Sequence, residues 1–285
     1  MAISSFIPEV WSAALLESLK KSLIYAAPGV VNRNYEGDIA SAGDTVRITS
    51  ISRPTIGTYV PNSTVITPQA IVDADRSLVI DQVKYWAFEV DDVDARQAAG
   101  NVLPEATVEA AYGLADVMDQ FVAAKYTEAA NNVTGTTVTD ATATTWTNVY
   151  DHCLVPLKIA LDIANVPSAQ RYVILPPIVQ GYLIRDNRFI RVNESGDSGE
   201  ALRNGMVGRA AGFDVLMSNN VPVISANIYA VQAGVPQAIT FAEQINKTEA
   251  YRPQSSFADA VKGLALYGCK TIRPDALAVC PVTIA

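Results

Sequence analysis

Histidine is almost absent from this 285-residue chain, in which His152 stands alone. A metal centre built on several imidazoles is therefore excluded, and histidine acid–base chemistry has one candidate. Cysteine is scarce as well. Cys153, Cys269 and Cys280 are an odd set without metal-ligand spacing, which argues against a disulfide framework and for a reducing compartment; a meeting of Cys269 and Cys280 across strands is the lesser alternative to three buried free thiols. Positive charge is in deficit, with 21 Lys and Arg against 29 Asp and Glu and a formal net charge of −8, which argues against sequence-independent binding to nucleic acid but not against a protein that stays near it without adhering. No run approaches the roughly 20 apolar residues of a membrane span, and the first residues, Met-Ala-Ile-Ser-Ser-Phe, have no basic region of a secretory signal. Such a chain is expected to be made and kept in a cytoplasm. Apolar residues, by contrast, are plentiful at 49%, enough to build a core for one large or two modest domains.

The longest coherent local signal covers residues 103–131. Pro104 suits a first helical turn, where its missing N–H costs nothing, and Glu105 and Glu109 favour the positive end of the helix dipole. Val108, Ala111, Ala115, Met118, Val122 and Ala129 recur at three- and four-residue steps, widened by Leu114, Val117 and Phe121. Glu105, Glu109, Asp116, Asp119 and Thr127 fall on the other side. The pattern predicts an amphipathic rod about 40 Å long, able to carry two lobes. Gly113 inside it costs about 1 kcal/mol relative to Ala.

Upstream, residues 8–22 read as a helix with Val10, Trp11, Ala14, Leu15 and Leu19 on one side, a surface that needs its own core or a neighbour to dock on. From residue 44 to residue 91 the pattern is β. Residues 45–51 alternate, and residues 77–90 read as one long strand rich in β-branched and aromatic residues. Pro54, Gly57, Pro61, Asn62 and Pro68 lie between them, so the segment is an extended two-stranded ribbon with a long tip. A lone ribbon cannot bury a core and must lie on something else.

Beyond the rod, residues 131–147 form a Thr-dominated run expected to be a surface hairpin or flexible insertion, and residues 148–165 a second helix disturbed early by Pro156. Residues 171–177 are a buried-type strand, 178–185 a short helix, and 193–204 a Gly- and Ser-rich loop. With further strands at 213–218, 228–231 and 238–241 they make a compact α+β lobe over residues 168–243. Residues 248–280 return to extended chain. Within them, 258–268 is a strand and not a helix, because Gly263, Gly268 and Pro274 punctuate it and Val, Leu and Tyr repeat at period two.

One tetrapeptide suggests catalysis. Gly196-Asp197-Ser198-Gly199 echoes the nucleophile loop of trypsin-like serine proteases, with His152 upstream in the right order. A triad needs His beside the Ser hydroxyl, a buried Asp behind it and backbone donors for the oxyanion. Here Glu200 follows where that family has Gly, and His152 begins a predicted helix, so a hydrolase using Ser198 and His152 is only a remote alternative. Asp91, Asp92 and Asp94 lack the order of a calcium loop, and Gly205-Met206-Val207-Gly208-Arg209 lacks the Lys-Ser/Thr pair of a phosphate loop. The expectation is a non-enzyme with no cofactor, metal or catalytic residue. A terminal arm, a projecting ribbon and a rod joining two lobes suit an assembly subunit, whose extensions become stable by lying on neighbours.

That order of elements resembles the major capsid proteins of tailed bacteriophages, with the Hong Kong 97 fold. Phe6-Ile7-Pro8-Glu9-Val10-Trp11 and Gly43-Asp44-Thr45-Val46-Arg47-Ile48 resemble the family locally. Gly208-Arg209-Ala210-Ala211-Gly212-Phe213-Asp214-Val215, followed by Ser218-Asn219-Asn220-Val221-Pro222, is similar to the lobe motif of the coat-protein group of the Salmonella phage P22 type. The resemblance spans almost the whole chain.

It implies an α+β fold with an N-terminal arm (1–43), an extended β-ribbon loop (44–92), a peripheral domain with its spine helix (93–167), an axial domain (168–243) and return strands of the peripheral domain (244–285). It implies a coat protein that self-assembles into hexamers and pentamers of an icosahedral shell around double-stranded DNA, without sequence-specific contacts or a membrane. The expected partners are further copies, a portal protein and a separate scaffolding protein, since the N-terminal segment is too short for a built-in one. The expected location is the virion, assembled in the host bacterial cytoplasm. Inter-subunit contacts are expected at Trp11 and Leu15 in the arm, at Arg53, Tyr59 and Arg76 on the ribbon, and at Arg188, Arg191, Glu200 and Arg203 around the lobe loop. No Lys lies between Lys21 and Lys84, so the ribbon tip cannot supply the lysine that cross-links some members. An encapsulin-like bacterial nanocompartment with the same fold is the alternative reading.

Overall fold

The structure, a computed structural model, describes residues 23–34, 45–51, 54–62, 65–66, 68, 73–91, 102–139, 146–186, 208–254 and 258–285. In chain order the elements are β1 (Thr45–Ile51), β2 (Asp73–Val79), β3 (Gln82–Asp91), α1 (Val102–Ala123), β4 (Asn131–Asn132), β5 (Thr136–Val138), α2 (Val155–Ile163), β6 (Tyr172–Leu175) and α3 (Pro177–Arg185). They continue as β7 (Arg209–Ala210), β8 (Phe213–Met217), β9 (Val223–Ser225), β10 (Ile228–Gly234), β11 (Ile239–Tyr251), β12 (Ala258–Thr271) and β13 (Leu277–Ile284).

β1 and β2 pair antiparallel with Thr45 opposite Val79 and Ile51 opposite Asp73, which is the ribbon. The single strand expected over residues 77–90 is two strands. Up to Val79 the partner is β1; from Gln82 it is β12, with Tyr85 opposite Leu264 and Asp91 opposite Ala258. The apolar pattern runs unbroken through this exchange because Leu78 and Ile80 are both buried, in one small cluster with Ala242 and Leu266. Change of partner leaves no mark on local periodicity.

β11, β12 and β3 form a three-stranded antiparallel sheet. α1 lies on one face of it, where the Phe121 ring meets Tyr267 edge-on, with centroids 5.4 Å apart. As expected, residues 258–268 are strand. The rod is shorter than its pattern suggested: α1 ends at Ala123 and a 3₁₀ turn, Ala124–Glu128, follows. The helix is 22 residues long, which is about 33 Å. Its carboxyl end is capped from the other sheet, since Gln232 Nε2 of β10 donates to the Ala123 carbonyl at 2.6 Å.

The apolar stripe is covered only towards that end. Met118 and Val122 are buried, whereas Val108 and Val117 are exposed. Gly113 is also exposed, and a Cβ there would meet no atom within 4 Å. Gly113→Ala is therefore expected to raise stability by about 0.5–1 kcal/mol, read as a higher urea midpoint with an unchanged slope.

The larger sheet has eight strands in the order β4-β13-β10-β6-β8-β7, with β5 beside β13 and β9 beside β10. β6 and β8 are parallel, and β13 runs antiparallel to β10. Residues 277–284 thus sit deep in this sheet. Here the part of the Thr-rich run over residues 131–139 differs from expectation: β4 and β5 are parallel edge partners of β13, not a surface hairpin, and Val138 is fully buried, while residues 140–145 lie outside the described residues. A Cβ at Gly135 would meet the Pro281 carbonyl at 2.8 Å, so only glycine lets these backbones approach.

Pro156 acts as expected. It stands in the first turn of α2, directly after a π-helical turn at Tyr150–Leu154. Without an N–H it cannot bond the His152 carbonyl four residues back, and the Cys280 thiol reaches that carbonyl at 3.8 Å instead. The three thiols are buried and free. Cys269 and Cys280 do not meet across strands, because β12 and β13 belong to different sheets; the neighbour of Cys280 is Cys153. Arg171, also buried, locks the link from α2 to β6 by donating to Asp162 at 2.7 Å and to the carbonyls of Val166 and Pro167 at 2.5 and 2.9 Å. Its guanidinium holds the Asp162 carboxyl below its ordinary range.

Candidate assembly surfaces

The ribbon offers the first surface. Its strands place residues 54–62, 65–66 and 68 at the tip, where Pro54, Pro61 and Pro68 keep the chain extended and Asn62 turns it in the left-handed region at φ 62°. Ile56 is 90% exposed, Val65 85% and Tyr59 63%. Large apolar side chains on a two-stranded arm have no sheet face to pack on, so the tip presents a patch whose burial needs another surface.

The direction of the ribbon is set at its root. Leu78 and Ile80 press on Ala242 and Leu266, on the face of the three-stranded sheet away from α1. Gly268 makes the contact possible, since a Cβ there would meet the Val79 carbonyl at 2.5 Å and Ile80 Cα at 3.0 Å. On the other face of the sheet, the one that α1 lies on, Trp86 stacks on Phe88 with centroids 5.6 Å apart and covers Gly263 so closely that a Cβ would clash with the indole. The exposed remainder of the ribbon-root face carries Val83, Tyr85, Leu264 and Tyr251. It also carries Lys262, which meets Glu249 at 3.2 Å and lies 5.1 Å from the centre of the Tyr251 ring.

A second constellation joins three separate parts of the chain. Asp119, expected on the polar side of the rod, is fully buried. Its carboxylate accepts from Asn220 Nδ2 at 2.7 Å and from the Ala26 N–H at 3.1 Å, with the backbone of Tyr25 and Ile24 adding to it. Asn220 also donates to Asp116 at 2.8 Å. The carboxylate is buried because it replaces water for N–H groups of residues 24–26, which would otherwise be orphaned where the arm enters the core. Burial pushes the Asp119 carboxyl up, against the opposing pull of these hydrogen bonds. Tyr25, buried beside it, has its phenol pushed well up by burial first and then by Tyr172 and Asp119. From there the chain runs to Asn32, which bridges in parallel to Thr240 on β11, and Arg33 pairs with Glu243 at 2.7 Å.

Of the contact residues expected from the sequence, Tyr59 and Arg76 are described, and both are exposed on the ribbon. Arg76 Nη1 donates to the Thr271 carbonyl at 3.5 Å. Trp11, Leu15, Arg53, Arg188, Arg191, Glu200 and Arg203 lie outside the described residues, as does Ser198. His152 is an exposed residue of the π-helical turn. Among the described residues no group of three His, Cys, Asp or Glu is arranged to hold a metal ion. The sequence reading missed the Asp119–Asn220 joint; the signal open to it was an Asp flanked by the buried stripe positions Met118 and Val122.

Residues 75–280 match the family described as "Phage capsid protein". No curated protein matches the chain. Among solved structures, one from Mycobacterium phage Che8 is similar at 31% identity with a TM-score of 0.81, over 98% of this chain and 98% of that one. The capsid structure of the Cyanophage P-SCSP1u is similar at 19% identity and TM-score 0.78, over 99% and 94% of the two chains. The mature capsid of bacteriophage PhiM1 is similar at 16% identity and TM-score 0.72, over 96% and 91%.

Proposed function

The chain belongs to the phage capsid protein family, and we propose on that premise that its copies assemble as hexamers and pentamers into the icosahedral shell that encloses the double-stranded DNA of a tailed phage. The α+β fold is that of capsid structures, and the protein is a tailed-phage major capsid protein. Its role in this reading is structural and not catalytic. The observation that best supports assembly is the ribbon tip, whose apolar residues are exposed far from either core, as suits a segment that a neighbouring copy covers.

Contacts between copies then fall at Tyr59 and Arg76 on the ribbon, with Trp11, Leu15, Arg53, Arg188, Arg191, Glu200 and Arg203 as further candidates. In this reading residues 1–43 are the arm, 44–92 the ribbon loop, 93–167 and 244–285 the peripheral domain, and 168–243 the axial domain, whose sheet borrows β13. A separate scaffolding protein and a portal complete the assembly, which takes place in the host cytoplasm. The net charge of −8 suits a lining along which packed DNA slides without adhering.

Electron microscopy of the purified chain, alone and with the candidate scaffolding protein, tests this. Shells or capsomer rings are expected for the wild type. An Ile56→Ser, Val65→Ser double variant is expected to lose them while its thermal midpoint stays within about a degree, because both side chains are exposed in the single chain. Monodisperse wild-type monomer under both conditions would overturn the proposal.

A further inference from the structure

We propose that the cleft between the root of the ribbon and the carboxyl end of α1 receives a carboxylate side chain from a second copy of this chain. The proposal rests on the capsid reading for the presence of that copy. The cleft encloses about 480 Å³ and is lined by Arg76 of β2, Lys125 of the 3₁₀ turn and Lys270 of β12, with Asp81, Phe121 and Cys269 between them. With Glu128, which bonds Lys125 and is also drawn down by Lys270, three cations stand against two carboxylates, in a chain in which 29 acids face 21 bases.

These cations come from three distant parts of the sequence, and two of them are tethered. Arg76 is held by the Thr271 carbonyl. Lys125 donates to Glu128 at 2.9 Å and lies 5.3 Å from the centre of the Phe121 ring. Neither Arg76 nor Lys270 has a carboxylate within ion-pair distance among the described residues. Buried Cys269 and the Phe121 ring give the cleft an apolar wall, which strengthens attraction to an entering anion. Arg76, held only by a carbonyl, and Lys270, which shares Glu128 with Lys125, thus leave the cleft with a net positive charge to meet an entering anion.

A carboxylate of another copy fits better than a DNA phosphate. Duplex DNA presents a regular row of charges and is met by cations spread along it, whereas these three line one cleft. Copies of a chain with net charge −8 also repel one another, and specific association requires opposite charge where they touch. The cleft opens at the foot of the ribbon, beside the segment whose exposed tip calls for a neighbour.

The test uses shells assembled from an equal mixture of isotopically heavy and light full-length chains, treated with a zero-length carbodiimide that joins amines to carboxylates in contact. Mass spectrometry is expected to find Lys270 or Lys125 joined to an Asp or Glu in heavy–light pairs. Lys270→Glu is expected to lower the yield of shells by at least about tenfold with its thermal midpoint unchanged, and Lys270→Gln to lower it less and flatten its salt dependence. Coupling confined to single chains, together with wild-type assembly by Lys270→Glu, would overturn the proposal while leaving the capsid reading intact. Normal shells of Lys270→Gln that retain less DNA would overturn it in favour of a phosphate ligand. Failure of the wild type to assemble at any salt concentration would remove the capsid reading itself, and this proposal with it.

Discussion

Asp119→Ala is expected to destabilise the protein by about 3–5 kcal/mol, among the largest effects of any single substitution. The loss comes from the donors left behind. The Ala26 N–H and the Asn220 amide, now 3.1 and 2.7 Å from carboxylate oxygens, would face a void from which water is excluded. Three segments would be released together: residues 24–26, α1 and the turn before β9. Equilibrium urea unfolding measures the cost, and hydrogen exchange at residues 24–31 should rise before global unfolding. A loss below about 1 kcal/mol would mean that water can enter and replace the carboxylate.

The same residue predicts a pH dependence. Burial raises the Asp119 carboxyl above its ordinary value, so the folded state binds this proton more tightly than the unfolded chain does. Its contribution is fully present below the unfolded pKa and is lost as pH rises through the folded one. Wild type should therefore gain stability relative to Asp119→Asn, which has no proton to bind, on going from neutral to about pH 4. Unfolding curves of both proteins at the two pH values check the sign. An unchanged difference would show that the hydrogen bonds from Asn220 and residues 24–26 offset desolvation completely.

Gly268→Val is the second large effect. The new Cβ would stand 2.5 Å from the Val79 carbonyl, a backbone atom that cannot rotate away. The ribbon root must lift from β12, opening the cluster of Leu78, Ile80, Ala242 and Leu266 at a cost of about 2–3 kcal/mol. The larger consequence lies in assembly. A ribbon that leaves its root at another angle carries its tip away from the neighbour, so shell formation should fail even where the variant is folded. Gly57→Ala is the control, since a Cβ at Gly57 meets nothing within 4 Å. Normal shells from Gly268→Val would show that the ribbon is aimed by its neighbour and not by its root.

Much of this molecule is readable from local pattern. The ribbon, α1, β6, α3 and the strand character of β12 follow from periodicity and from the placing of Gly and Pro, because a segment's own dihedrals decide which way its side chains point. The order of these segments, with a few short motifs, was enough for the capsid family. The exposed tip was legible too, since apolar residues among prolines on a lone ribbon have no face of their own to cover.

Pairing across the chain is another matter. The exchange of partner between Val79 and Gln82 is silent in the sequence, because a strand alternates in the same way beside β1 or β12. The Thr-rich run is polar enough for a loop, yet β13, some 140 residues further on, offers β4 and β5 an edge to join. Asp119 reads as a surface residue until the backbone of residues 24–26 and Asn220 supply its hydrogen bonds. Arg76, Lys125 and Lys270 become one cleft only when β2, the end of α1 and β12 meet. Local sterics write which face of a segment is apolar; what comes to cover that face, or to neutralise a charge within it, is the outcome of many weak contacts between distant segments, and it exists only once the chain has folded.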